Sequence, residues 1–95
     1  MVCSIPVEIG KEFQMSEMVP VSGGYTCVAD FDPDHIDLKK LVVTPGERIG
    51  ALARFTFTFK PLNANTSIIH LIVLRPWSGG EVAKVVTCDI IPIKK

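Results

Sequence analysis

The chain has 95 residues, enough for one domain that buries roughly 60–65% of its unfolded surface but too few for two hydrophobic cores. Ten basic and ten acidic residues cancel, so charge gives no reason to expect binding to nucleic acid or to an anionic membrane. Apolar residues make up 47% of the chain, yet no uncharged run reaches the ~18 residues that a membrane-spanning helix needs. Composition therefore predicts a single domain over residues 1–95 that recognises a partner by local shape.

Short runs that alternate apolar and polar residues, separated by glycine, proline or asparagine, predict β-strands throughout the chain. The predicted strands are 4–9, 12–17, 25–31, 38–44, 54–59, 66–74 and 81–93. Pro6 confines the first strand to a sheet edge, because proline has no N–H to donate to a ladder. Phe55, Phe57 and Phe59 alternate with threonine and form a core stripe. Segment 45–53 is either a long loop or a loop followed by the start of a strand.

About seven to eight short strands with regularly spaced turns predict an all-β, immunoglobulin-like sandwich. In such a sandwich alternate connections lie at the same end, so connections 19–24, 45–53 and 75–81 are expected together. Strand 66–74 is apolar on both faces, which predicts either cover on both sides or an exposed apolar face. His70 alternates with Ile69 and Leu71, and this favours an outward polar residue over a metal ligand.

Three cysteines, Cys3, Cys27 and Cys88, are widely spaced and contain no C-x-x-C pair that would suggest zinc binding or redox exchange. Their odd number predicts structural free thiols and a reducing compartment. Residues 1–8 contain neither the basic nor the apolar part of a secretion signal, so none is expected within the chain. A precursor trimmed before Met1 stays an open alternative.

Acidic residues cluster between Asp30 and Asp37, and such oxygen-rich segments can bind calcium. The twelve-residue calcium loop, counted from Asp30, needs glycine at position 35 and glutamate at position 41, where this chain has His35 and Leu41. The segment is therefore predicted to be a solvated connection with Asp32 or Asp34 capping a short turn.

The strongest functional signal is Arg75-Pro76-Trp77-Ser78-Gly79-Gly80, which follows the most apolar run of the chain. Pro76 ends strand pairing, and the two glycines allow backbone angles that side chains forbid, so the only tryptophan lies on a short constrained loop. From residue type alone Trp77 would be a buried core plug. A stiff loop beside two other connections favours an exposed contact residue instead, because a rigid aromatic side chain loses little entropy on binding.

This loop resembles the last of three loop motifs that define the chagasin family of cysteine-peptidase inhibitors. That motif is Arg-Pro-Trp or Arg-Pro-Phe after a central strand; Arg75-Pro76-Trp77 match it in full, and Ser78-Gly79 resemble the residues that follow. The family's first motif is Asn-Pro-Thr-Thr-Gly-Tyr, followed after one residue by tryptophan. With Gly24 as an insertion, the residues that fit are Pro20, Ser22, Gly23 and Tyr25, and those that depart are Val19, Val21 and Cys27.

The middle motif of the family is a Gly-x-Gly-Gly loop, of which only Gly50, next to Ala51, has a counterpart here. The resemblance covers nearly the whole chain in order and spacing, with one motif intact. It implies a reversible inhibitor in which three loops fill the active-site cleft of a papain-like, cathepsin-type protease and no bond is cut. The residues implied to bind the protease are Pro20, Val21, Ser22, Gly23, Gly24, Tyr25, Gly50, Ala51, Arg75, Pro76 and Trp77.

Other classes of function make different predictions. A structural or adhesive immunoglobulin-like domain needs no special loops and predicts a buried Trp77. A carbohydrate-binding module would stack a sugar on Trp77 or Tyr25, but it usually exposes more aromatic residues than this chain offers. An enzyme is disfavoured because the sequence shows no paired acids, nucleophile motif or metal ligands, so no catalytic residue, metal or cofactor is expected.

The expected partner is thus a cysteine protease, without nucleic acid or membrane, and we expect a monomer. The expected location is cytoplasmic from the free thiols, or vesicular and lysosome-like from the implied target.

Overall fold

The computed structural model describes residues 3–48, 50–77 and 79–94. Seven strands are present in these ranges: β1 Cys3–Glu8, β2 Phe13–Val19, β3 Thr26–Asp30, β4 Ile36–Thr44, β5 Ala53–Pro61, β6 Ser67–Leu74 and β7 Val82–Ile93. A single 3-10 turn, Val21–Gly23, lies between β2 and β3. In the described part of the chain, no helix has the length and apolar character needed to span a membrane.

The strands form two sheets, one ordered β1-β7-β6-β3 and the other β2-β5-β4. β1 pairs in parallel with β7, and the remaining pairings are antiparallel. The predicted all-β sandwich is confirmed, with seven strands. In segment 45–53, residues 45–48 and 50–52 are loop, since β5 begins only at Ala53.

β4 begins two residues earlier than predicted, at Ile36, because Ile36 is buried and pairs with Pro61 at the end of β5. The acidic connection is correspondingly shorter. The Asp34 amide donates a hydrogen bond to the Asp32 carboxylate at 2.9 Å, which confirms the capped turn. Among the residues that the structure describes, no group of three or more potential ligands could hold a metal ion.

The core lies between the sheets and contains the predicted phenylalanine stripe. Phe55, Phe57 and Phe59 are all buried on β5. The Phe57 and Phe59 rings stack at 6.0 Å between centroids, and Phe31 meets Phe59 edge-on at 5.5 Å. These rings give the sandwich a tightly packed interior on which the connections between strands are mounted.

β6 has one buried and one exposed apolar face, which decides between the two alternatives for this strand. Ile69, Leu71 and Val73 are buried, whereas Ile68 is 47% exposed. His70 is on the outer face, where its Nδ1 lies 2.8 Å from the Thr87 hydroxyl on β7. It is a cross-strand polar residue, as expected.

The expectation that all three cysteines are free thiols is wrong for two of them. Cys3 on β1 and Cys88 on β7 are paired in register, with their Cα atoms 4.5 Å apart, and they form a disulfide. A separation of 85 residues gave no sequence cue to this proximity, because it depends on the parallel pairing of the first and last strands. Cys27 is the one free cysteine among the described residues, and it is buried.

Removing the Cys3–Cys88 disulfide should lower stability strongly, because the bond closes a loop across 85 positions of the unfolded chain. The chain-entropy relation gives about 4–5 kcal/mol for a loop of this size. We expect the double variant Cys3→Ser and Cys88→Ser to show this loss in guanidinium unfolding. Dithiothreitol should destabilise the parent and leave the double variant unchanged; equal stability of the parent in oxidised and reduced form would contradict the prediction.

Candidate functional site

The pairing of the strands places three connections at one end of the sandwich. In one sheet, Val19 at the end of β2 pairs with Ala53 at the start of β5, and Thr44 at the end of β4 pairs with Arg54. In the other sheet, Leu74 at the end of β6 pairs with both Thr26 and Val82. The first loop (residues 20–25), the middle loop (45–52) and the third loop (75–81) therefore share this end.

The first loop is held by its own backbone. The Gly23 amide donates to the Pro20 carbonyl and the Gly24 amide to the Val21 carbonyl, both at 3.0 Å. Gly24 then takes φ +86°, in the left-handed region that favours glycine. Val21 and Ser22 are exposed at the tip. The turn thus presents an apolar and a hydroxyl side chain on a hydrogen-bonded frame.

The third loop exposes Trp77, whose accessible fraction is 56%. The Arg75 amide donates to the Glu81 carbonyl at 2.9 Å and closes the base of the loop. Gly79 and Gly80 both have positive φ, which carries the chain back towards β7 within a few residues. The indole is therefore a surface group and not a core plug. Ser78, included in the resemblance, lies outside the described residues.

Arg75 joins the third loop to the first. Its Nε donates to the Gly23 carbonyl at 3.0 Å, and its guanidinium lies 4.7 Å from the centre of the Tyr25 ring. The same guanidinium is 3.3 Å from the Glu81 carboxylate, and that carboxylate also accepts a hydrogen bond from the Tyr25 hydroxyl at 3.4 Å. Each contact is partly exposed and individually weak, but together they fix one loop against the other.

Gly24 and Trp77 form the second link between these loops. A Cβ atom on Gly24 would overlap Cζ2 of the indole, well inside van der Waals contact. The indole therefore rests directly on the Gly24 backbone. Gly24, which is an insertion relative to the family motif, is thus the residue on which Trp77 packs.

The middle loop is held within its own hairpin. The Ala51 amide donates to the Arg48 carbonyl at 3.0 Å, and Gly46 packs so closely that a Cβ there would meet the Ala51 methyl group. Gly50 has φ +82° and Leu52 is exposed. Gly50 and Ala51 thus lie at the same end as the other candidate residues, whereas the contacts above join only the first and third loops.

An ion pair that sequence reasoning missed lies where β2 and β7 approach this end. Lys84 Nζ is 2.8 Å from the Glu17 carboxylate, whose side chain is largely buried. Burial raises the pKa of the nearby Cys27 thiol from 9.0 to about 11, and the negative charge of Glu17 contributes to the same shift. Cys27 is thus a protonated, unreactive thiol at neutral pH.

Glu81 is a further residue that the sequence analysis missed, although a signal was present. Arg75 and Glu81 flank the Pro-Trp and Gly-Gly dipeptides. A tight connection between two antiparallel strands brings its flanking residues opposite each other, so opposite charges there predict an ion pair.

The solved structures that match this chain include two that cover nearly its whole length. The cysteine protease inhibitor EhICP2 from Entamoeba histolytica superposes with a TM-score of 0.86 at 18% sequence identity, covering 97% of this chain and 87% of that one. The chain shares its fold with this inhibitor. Amebosin superposes with a TM-score of 0.75 at 14% identity, covering 95% of this chain and 88% of that one. No family profile matches the sequence, and no curated protein matches it significantly.

Replacing Gly24 with alanine should displace the Trp77 indole, because the new methyl group would occupy its position and alanine disfavours φ +86°. We expect a changed tryptophan emission spectrum and a loss of about 1–2 kcal/mol in unfolding free energy. Gly10→Ala is the matched control: Gly10 has φ +82°, but its Cβ position is open. Gly10→Ala should lose unfolding free energy only through its backbone angle and should leave the emission spectrum unchanged. Identical spectra for both variants would contradict the packing of Trp77 on Gly24.

The raised pKa of Cys27 predicts a loss of stability at alkaline pH. Between pH 9 and 11 the folded protein keeps the thiol proton that the unfolded chain releases, so stability falls as pH rises through this range. A shift from 9.0 to about 11 corresponds to at most about 2 kcal/mol by pH 11. Guanidinium unfolding at several pH values should show a smaller decline for Cys27→Ala; equal declines in both proteins would refute the prediction.

Proposed function

We propose that this protein is a reversible inhibitor of papain-like cysteine proteases and that its three loops enter the active-site cleft of the enzyme. The observation that carries the proposal is the first and third loops fixed to each other by Arg75, with Trp77 exposed between them. The fold shared with EhICP2, which is described as a cysteine protease inhibitor, supports it. The intact Arg75-Pro76-Trp77 motif supports it independently of the fold.

The contacts favour tight binding because they reduce the entropy lost when the loops meet the enzyme. A loop already held by hydrogen bonds at both its tip and its base has fewer conformations to lose on association. A standard interface buries about 800 Å² on each partner, an area that three loops at one end of a small sandwich can supply. Rigidity and shape thus carry the affinity, and the inhibitor takes part in no chemical step.

Each loop has a distinct role in this proposal. Ser22 and Gly23 cover the catalytic cysteine of the protease, and Val21 makes the contact beside them apolar. Trp77 packs on the primed side of the cleft, where its exposed ring gains contact area. Gly50 and Ala51 present backbone to the opposite wall. Arg75 braces the first loop against the third through Gly23 and Tyr25.

The structural or adhesive alternative predicts a buried Trp77, and the 56% exposure of this side chain speaks against it. Of the two expected locations, we propose the vesicular, lysosome-like one. The Cys3–Cys88 disulfide supports this choice, because disulfides persist in oxidising compartments and are rare in the cytosol.

Titration against papain and a cathepsin-type protease tests the proposal. We expect reversible loss of protease activity at a one-to-one ratio, with the inhibitor recovered uncleaved. Full protease activity at about 10 µM inhibitor, where even a modest interface would be occupied, would contradict the proposal.

Trp77→Ala should weaken inhibition by about 30-fold or more, the loss expected for a central aromatic contact of about 2 kcal/mol. Leu62→Ala is the control, since Leu62 is similarly exposed but lies between β5 and β6 at the other end of the sandwich. Both variants should stay folded and show a single cooperative guanidinium transition. If a folded Trp77→Ala variant inhibits as well as the parent, Trp77 is not part of the protease-binding site.

A further inference from the structure

Four strands lie at the edges of the two sheets, and β4 offers the longest of these edges. β4 has nine residues, compared with six in β1, seven in β2 and five in β3. Pro6 interrupts the hydrogen-bonding capacity of β1. β4 contains no proline or glycine, and β5 occupies only one of its two sides. Its other side presents main-chain N–H and C=O groups to which a further strand can add.

The second half of β4 is also apolar and exposed. Leu41, Val42 and Val43 are 40–46% exposed, although all three pair with residues of β5. Leu41 and Val43 lie opposite the buried Phe57 and Phe55, so they are on the core side of the sheet. Their exposure shows that the hydrophobic core is open beside β4, and a strand added there would extend both sheet and core.

Features that normally protect a sheet edge are confined to the first half of β4. The ladder is irregular between Leu38 and Lys40, and Lys39 forms an ion pair with Asp37 at 3.2 Å. Charges and bulges of this kind discourage strand addition. Residues 41–44 contain neither, so the available part of the edge is Leu41-Val42-Val43-Thr44.

We infer that this edge pairs antiparallel with the same edge of a second copy of the chain, about a two-fold axis at Val42. In this register Val42 faces its own copy, Leu41 faces Val43, and Lys40 faces Thr44. Across residues 40–44 no two like charges are opposed, and apolar residues meet on both faces of the joined sheets. The sequence around Val42 is thus complementary to itself, which is the reason for assigning a second copy as the partner.

The pairing leaves the loops of both copies free. Antiparallel β4 strands direct the two loop ends in opposite directions, so each Trp77 stays exposed. The inference does not depend on the proposed inhibitory function. An interface of one short strand pair falls below the roughly 1,200 Å² of stable complexes, so we expect a weak dimer with a Kd on the order of 10–100 µM. The chain is then a monomer at the nanomolar concentrations of an inhibition assay.

Sedimentation velocity from about 5 to about 300 µM tests the inference, since this range spans the expected Kd. The parent should shift from monomer to dimer, and Val42→Lys should raise the Kd at least about tenfold by placing two lysines opposite each other. Val42→Glu should do the same. An equimolar mixture of the two variants should recover the dimer, because opposite charges then face each other across the axis.

Ile68→Lys is the matched control, because Ile68 is 47% exposed on the outer face of the other sheet and should dimerise like the parent. A parent that stays monomeric to about 300 µM overturns the inference. So does a dimer that Val42→Lys leaves intact, or a mixture of the charged variants that stays monomeric although each variant keeps the parent's unfolding midpoint. Recovery of the dimer only in the mixture establishes the self-paired register.

Discussion

The contacts of one arginine determine the shape of the loop end. Arg75 reaches from the third loop to the Gly23 carbonyl and the Tyr25 ring of the first, and Glu81 holds both Arg75 and Tyr25 in place. Without these contacts only the packing of Trp77 on Gly24 would join the two loops, each of which belongs to a different strand pair. With them, an exposed indole and an apolar turn are held at a fixed distance, which is the property that recognition of a rigid cleft requires.

The tight contact of Gly24 with Trp77 restricts which residue types these two positions can hold. Many side chains can form an ion pair or a hydrogen bond at a surface, but only glycine leaves room for the indole and adopts φ +86° without strain. The geometry therefore depends on the absence of a side chain on one loop and the size of a side chain on the other. Changes at either position are coupled, and we expect their effects on stability to be non-additive.

Much of the fold follows from local patterns in the sequence. The alternation of apolar and polar residues predicted the strands, and the phenylalanines of β5 predicted the core stripe. The order of the strands predicted that three connections lie at the same end of the sandwich. What local patterns could not give was contact between distant residues. The Cys3–Cys88 disulfide depends on the pairing of the first and last strands, and the Glu17–Lys84 ion pair joins strands from different sheets. The packing of Trp77 on Gly24 likewise depends on side-chain placement, which the spacing of residues in the sequence does not predict.

The parallel pairing of β1 with β7 makes the four-stranded sheet depend on a contact between distant parts of the chain. The residues that β1 pairs with run from Cys88 to Ile93, and Cys3 and Cys88 are separated by 85 positions. The entropy of closing so long a loop must be lost before the pairing can stabilise the sheet. We therefore expect the pairing of β1 with β7 to be a slow, late step of folding.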